Sequence, residues 1–304
     1  MDAPMPTDPQ PLAIEAADGY RLGGLGWFGP PTPARPVAVI HAATSVQCRY
    51  YSRFAAWLHA RGHDVILYDY RGIGLSRPAR LRGLRASWAD WGARDAEAAL
   101  AYARARFPDR PLDAIGHSFG GWAIALAPSA VHLRRIATVG AQFAYWRDYA
   151  AGQRWPMVLK WHVAMPLITA LCGYFPGRRL GWLEDTPAGV VRDWAWPTPR
   201  FETRPGGRRL LREQGRYPAA AVRAPLLAIS TTDDPFCTPA AVERMLAYFP
   251  ASPSRHLRIA PDDIGVAQIG HFAFFHSRFE GALWPLVGDW LAAGAEASRT
   301  ASAR

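Results

Sequence analysis

Ser118 stands between Gly116 and Gly120 in the run Gly-His-Ser-Phe-Gly, and a further glycine follows at 121. A serine hydroxyl attacks a carbonyl only when a base takes its proton and an acid orients that base. The G-x-S-x-G spacing meets the steric need of exposing such a serine. On a tight strand-to-helix turn, a side chain two residues before or after would strike neighbouring backbone, and glycine has none. A helix that begins at the serine also aims its free N–H groups at the site. Two later stretches could supply the partners. Thr231-Thr232-Asp233-Asp234-Pro235 offers two carboxylates, and Ile269-Gly270-His271-Phe272 offers an imidazole. Together they would support nucleophilic attack on an acyl carbon, with either aspartate as the acid.

The surrounding pattern predicts elements that could hold these groups together. Residues 37–40, 64–68, 112–115, 135–139 and 225–229 are short, mostly apolar runs, as buried parallel strands should be, and 255–259 reads as a further strand. Helical spacing falls between them, at 50–61, 88–107, 120–127, 240–249 and 279–292, with Pro285 as a kink in the last. Residues 12–28 read as a hairpin turning at Asp18-Gly19-Tyr20. Alternation of strand and helix predicts an α/β fold, a mostly parallel sheet with helices on both faces. Loops after successive strands would carry Ser118, the aspartates and His271 to one sheet edge, where open α/β folds bind ligands. Between the two alternating halves the composition changes. Residues 142–219 hold six of the thirteen tryptophans and twelve basic residues against six acidic, and their helix-like runs are broken by Pro156, Pro166, Pro176, Pro187, Pro197 and Pro199. The expected organisation is a core at 11–141 and 220–292, a helical cap insertion at 142–219, and flexible ends at 1–10 and 293–304.

These motifs resemble the α/β-hydrolase superfamily, and within it a bacterial cytosolic branch described as serine aminopeptidase-like. The matching residues are Tyr68-Asp69-Tyr70-Arg71-Gly72-Ile73-Gly74-Leu75-Ser76, the turn at 116–121, the acid loop at 233–236, and Gly270-His271-Phe272. The resemblance spans about 36 to 292, with the cap as its variable part. It implies Ser118 as nucleophile, His271 as general base and Asp234 as acid, because the family's acid commonly precedes a short apolar turn, here Pro235-Phe236. Asp233 fits the chain order equally. The resemblance also implies an oxyanion hole of two backbone N–H groups, those of Phe119 and Ala43. Relatives often read His-Gly where this chain has His41-Ala42. The implied reaction is cleavage of a carboxylic ester or related acyl bond through an acyl-enzyme, with no cofactor and no metal. An acyltransferase would use the same triad with an alcohol or thiol in place of water, and a binding protein could keep the fold without the chemistry.

The other features are read structurally. His117 is taken as packing, His41 and Asp69 as residues that order loops, and His276 as lying beside the closing helix. The net charge is +10, and Lys160 is the one lysine among 35 basic residues. The arginines are scattered and no zinc-finger, helix-turn-helix or RNP pattern is present, so no nucleic-acid partner is expected. Cys48, Cys172 and Cys237 are too far apart for a CxxC site and too few for a disulfide framework. The first residues show no secretory pattern, and no run of about 18 apolar residues occurs. The expectation is a cytoplasmic monomer or homodimer with a small-molecule acyl substrate and no membrane partner.

Overall fold

Eight strands form one sheet in the order β1-β2-β4-β3-β5-β6-β9-β10. The computed structural model describes residues 8–30, 32 and 35–302, with side chains as far as 293. β1 (Gln10–Glu15) and β2 (Arg21–Trp27) make the expected hairpin, and β2 pairs antiparallel with β4 (Asp64–Tyr68). β3 (Val37–His41), β5 (Leu112–His117), β6 (Arg135–Val139), β9 (Leu226–Thr231) and β10 (Ser254–Ile259) continue the sheet in parallel from β4. Every residue of β3, β4, β5 and β9 is buried. That explains why these runs lack alternation: helices cover both of their faces. β7 (Tyr174–Phe175) and β8 (Thr186–Pro187) pair as a small separate ribbon.

Between β6 and β9 the chain leaves the sheet and becomes mostly helical. One helix runs from Arg154 to Cys172, with α-helical turns at Arg154–Val158 and Met165–Cys172 around a π-helical stretch at Leu159–Ala164. Arg204 anchors this segment to the core. It is fully buried and donates to the carbonyls of Asp193, Ala144 and Thr198. Its guanidinium also lies over the rings of Trp88 and Phe143. The Asp193 carboxylate in turn accepts from the N–H groups of Trp88 and Gly206.

Two details differ from expectation. The closing helix spans Trp284–Ser302, not 279–292, and Pro285 sits in its first turn. There its missing N–H leaves no bond unmade, so it starts the helix and does not kink it. The flexible ends expected at 1–10 and 293–304 lie largely outside the described residues, but Gln10 already belongs to β1 and the backbone is helical to Ser302.

Candidate active site

Ser118 occupies the sharp turn between β5 and the helix Phe119–Leu126, with φ 52° and ψ −122°. That region of backbone space costs a non-glycine residue on the order of 1–3 kcal/mol. Close packing holds it there. A Cβ on Gly120 would stand 2.0 Å from the His41 carbonyl oxygen, and one on Gly116 would stand 2.4 Å from Gly121. The Ser118 N–H donates to Val139, which ties the turn to β6. Tyr70, Trp88, Trp91 and Phe119 pack in a cluster beneath it, with Trp88 and Phe119 stacked at 4.9 Å.

The loops after β9 and β10 deliver the partners. His271 Nε2 lies 2.9 Å from Ser118 Oγ, and His271 Nδ1 lies 2.6 Å from Asp234 Oδ2. All three side chains are buried, with residue exposures of 4–8%. Asp234 Oδ1 accepts from the N–H groups of Phe236 and Cys237, so the Pro235-Phe236 turn fixes the carboxylate. Asp233 points elsewhere: its Oδ2 accepts from the N–H groups of Ile269 and Gly270. It therefore holds the histidine loop from behind, while Asp234 holds the imidazole.

Gly140, just past β6, packs against this pair at φ 59°. A Cβ there would sit 3.2 Å from Asp234 Oδ2 and 3.3 Å from the His271 ring. Sequence reasoning passed over Gly140, since a glycine after a strand signals only a turn.

A second connection was also missed. The Tyr51 hydroxyl lies 2.7 Å from His117 Nδ1, and His117 Nε2 lies 2.8 Å from the His271 carbonyl. Ala43 N–H donates to the same Tyr51 oxygen at 2.9 Å. The donors and acceptors then have one consistent assignment. Ala43 N–H gives to Tyr51, Tyr51 O–H gives to His117 Nδ1, and His117 Nε2–H gives to the His271 carbonyl. Burial supports this neutral tautomer by lowering the His117 pKa to about 3. His117 is thus more than packing: it links the loop after β3 to the backbone of His271. The expected oxyanion hole uses the N–H groups of Phe119 and Ala43. Ala43 lines the site, but its N–H is engaged by Tyr51. Phe119 N–H, at the first helical position, has no helical acceptor. Thr44, the next residue along the loop, lines the same cavity.

His41 and Asp69 order loops. His41 Nδ1 meets the Tyr68 hydroxyl, and Asp69 accepts from the N–H groups of Cys48 and Leu75. His276 is on the surface, 5.7 Å from the Tyr50 ring and away from Ser118's contacts.

Ser118 and His271 open into a cavity of about 370 Å³. Its walls include Trp88, Trp161, Trp182 and Trp194, with Trp161 and Trp194 stacked at 4.9 Å. Lys160 brings the one full-time charge to the lining; its Nζ lies 4.6 Å from the Trp161 ring centroid and 4.5 Å from that of Trp182. Desolvation lowers its pKa. Among the described residues, no aspartate or glutamate lines this cavity. Among the described residues no group of three or more His, Cys, Asp or Glu could hold a metal ion.

The overall fold matches that of known proteins. The family model described as serine aminopeptidase S33 matches residues 31–176. A soluble variant of monoglyceride lipase from Saccharomyces cerevisiae, solved with a substrate analogue, superposes with a TM-score of 0.63 at 15% identity, covering 96% of this chain and 99% of that one. The chain has the α/β-hydrolase fold. A Pyrococcus furiosus esterase shares this fold with a TM-score of 0.58 at 12% identity, covering 96% of each chain. A monoacylglycerol lipase of Paleococcus ferrophilus gives 0.55 at 15% identity, covering 90% of this chain and 99% of that one. No curated protein matches this sequence.

Proposed function

We propose that the protein hydrolyses carboxylic esters, with Ser118 as nucleophile, His271 as general base and Asp234 as the acid that orients it. The observation that carries this reading is the unbroken line from Asp234 Oδ2 through His271 to Ser118 Oγ, at 2.6 and 2.9 Å. His271 Nε2 takes the Ser118 proton as Oγ attacks the acyl carbon. Asp234 stabilises the imidazolium that forms. The developing oxyanion is met by Phe119 N–H at the positive end of its helix. His271 then returns the proton to the leaving alkoxide, and water, activated by the same imidazole, releases the acid from the acyl-enzyme.

The lining favours an ester over a peptide with a free amino terminus. An aminopeptidase must bind an ammonium group, which calls for a carboxylate near the nucleophile. This cavity offers tryptophan faces and the Lys160 ammonium, which repels a cation. The esterase and lipase names of the structural neighbours agree with that choice.

A fluorophosphonate probe read by intact mass tests the reading. Wild type should gain one adduct and Ser118→Ala none, and only wild type should turn over p-nitrophenyl butyrate. Folded wild type that neither reacts with the probe nor cleaves the ester would defeat the proposal.

A further inference from the structure

Five of the large apolar side chains that reach solvent stand on one helix. Trp155, Leu159, Val163, Leu167 and Leu171 are 42–83% exposed, all on the cap helix Arg154–Cys172. They repeat every four residues. So do Met157, Trp161, Met165 and Thr169, which are buried on the opposite face. Four residues overshoot one α-helical turn by about 0.4 residue, so such rows should spiral around a plain α-helix. The π-helical stretch at Leu159–Ala164 has wider turns and takes up much of the overshoot. The result is an apolar row roughly 24 Å long on one side of the helix. A patch of this extent marks a docking surface.

The charge around it selects the partner. From Tyr149 to Leu183 the chain has no aspartate or glutamate, while Arg154, Lys160, Arg178 and Arg179 are all cationic. Arg82 adds a further cation at the far end of the helix, where it donates to the Cys172 carbonyl. A second copy docked face to face would bring like charges together. An anionic lipid surface would accept both the apolar row and its basic rim.

We propose that the outer face of the cap helix lies on an anionic lipid surface. The helix is interfacial, not spanning: no described helix is long and apolar enough to cross a membrane. The row begins at the rim of the cavity, because Gln153 and Pro156 line that cavity and are also exposed. An ester carried in the lipid layer would therefore meet the cavity at its edge, a consequence that rests on the ester-hydrolase reading. The docking itself does not.

Flotation of the full chain with vesicles tests it, using phosphatidylcholine alone and an equimolar mixture with phosphatidylglycerol. Wild type should float with the mixed vesicles and much less with phosphatidylcholine. The double variant Leu159→Glu/Leu167→Glu should lose at least about tenfold of that partition. Neither residue lines the cavity, so both proteins should cleave p-nitrophenyl butyrate at the same rate. That readout keeps a failure of docking distinct from a failure of the hydrolase reading, and a matching circular dichroism melt confirms that the variant is folded. Wild type that stays in solution with both vesicles, or a double variant that floats equally well, overturns the proposal. So does a wild-type dimer by light scattering that the double variant converts to monomer, because the face would then be covered by a second copy.

Discussion

At the scale of single residues, neighbouring aspartates have separate tasks. Asp234 contacts the imidazole, whereas Asp233 accepts from the backbone N–H groups of Ile269 and Gly270. An asparagine at 234 cannot hold the tautomer that leaves Nε2 free to accept from serine. Asp234→Asn should therefore lower kcat on p-nitrophenyl butyrate by about 10⁴. An asparagine at 233 still presents an oxygen to both N–H groups, so Asp233→Asn should keep kcat within about tenfold and cost on the order of 1 kcal/mol of stability. If Asp233→Asn lost as much activity as Asp234→Asn, the assignment of the acid would be reversed. The Tyr51 hydroxyl shows the same division of labour, because it serves both the Ala43 N–H and His117 Nδ1. Neither aspartate nor tyrosine could be given its task from residue type alone.

At the scale of elements, the turn after β5 sets how Ser118 is presented to His271. Its strain persists because the helix Phe119–Leu126 is pressed against the end of β3 through Gly120. Gly120→Ala would place a methyl against the His41 carbonyl, which is backbone and cannot swing aside. The variant should lose about 1–3 kcal/mol in urea denaturation and should also lose fluorophosphonate labelling as Ser118 is displaced. Undiminished stability and labelling would mean that the turn has slack that the packing denies. The helix Arg154–Cys172 is the other element with a specific geometry. Met157 and Trp161 of its inner row line the tryptophan-walled cavity, and its π-helical stretch reduces the drift of the outer row.

At the scale of the whole molecule, buried histidines link folding to pH. His117, His41 and His63 are buried, and desolvation lowers their pKa values to about 3, 3 and 4. In the unfolded chain each would titrate near 6.5. Below that pH unfolding takes up protons, so the stability these neutral histidines contribute is complete above about pH 6.5 and is lost as pH falls toward 3–4. Each can steepen the loss by about 1.4 kcal/mol per pH unit. Urea unfolding between pH 7 and pH 4.5 should show this, and His117→Gln should flatten the slope by roughly one proton's worth. Equal slopes for the two proteins would show that His117 is protonated in the folded state, against the tautomer its partners require. The charge of the molecule acts on a larger scale still, as the basic rim of an apolar face.

Much of this was legible in the sequence because it is written locally. Buried parallel strands appear as short apolar runs because helices cover both faces, and the six strands expected in the parallel part of the sheet are present, with the polar β10 at its edge. The serine turn is legible because its glycines answer a steric demand within five residues. His271 and the aspartate pair could be placed near Ser118 because loops after parallel strands emerge at one sheet edge. What remained depended on contacts between distant segments. Asp233 and Asp234 differ only in which way each side chain faces, and that is set by a loop 36 or 37 residues later. The Tyr51–His117–His271 connection spans 66 and then 154 residues, and no local pattern encodes it. The cap helix is apolar on both faces, which by itself reads as a helix buried on all sides. Only the tertiary structure decided that one row packs on the core while the other faces outward, because one side of the helix has the core to cover it and the other has solvent.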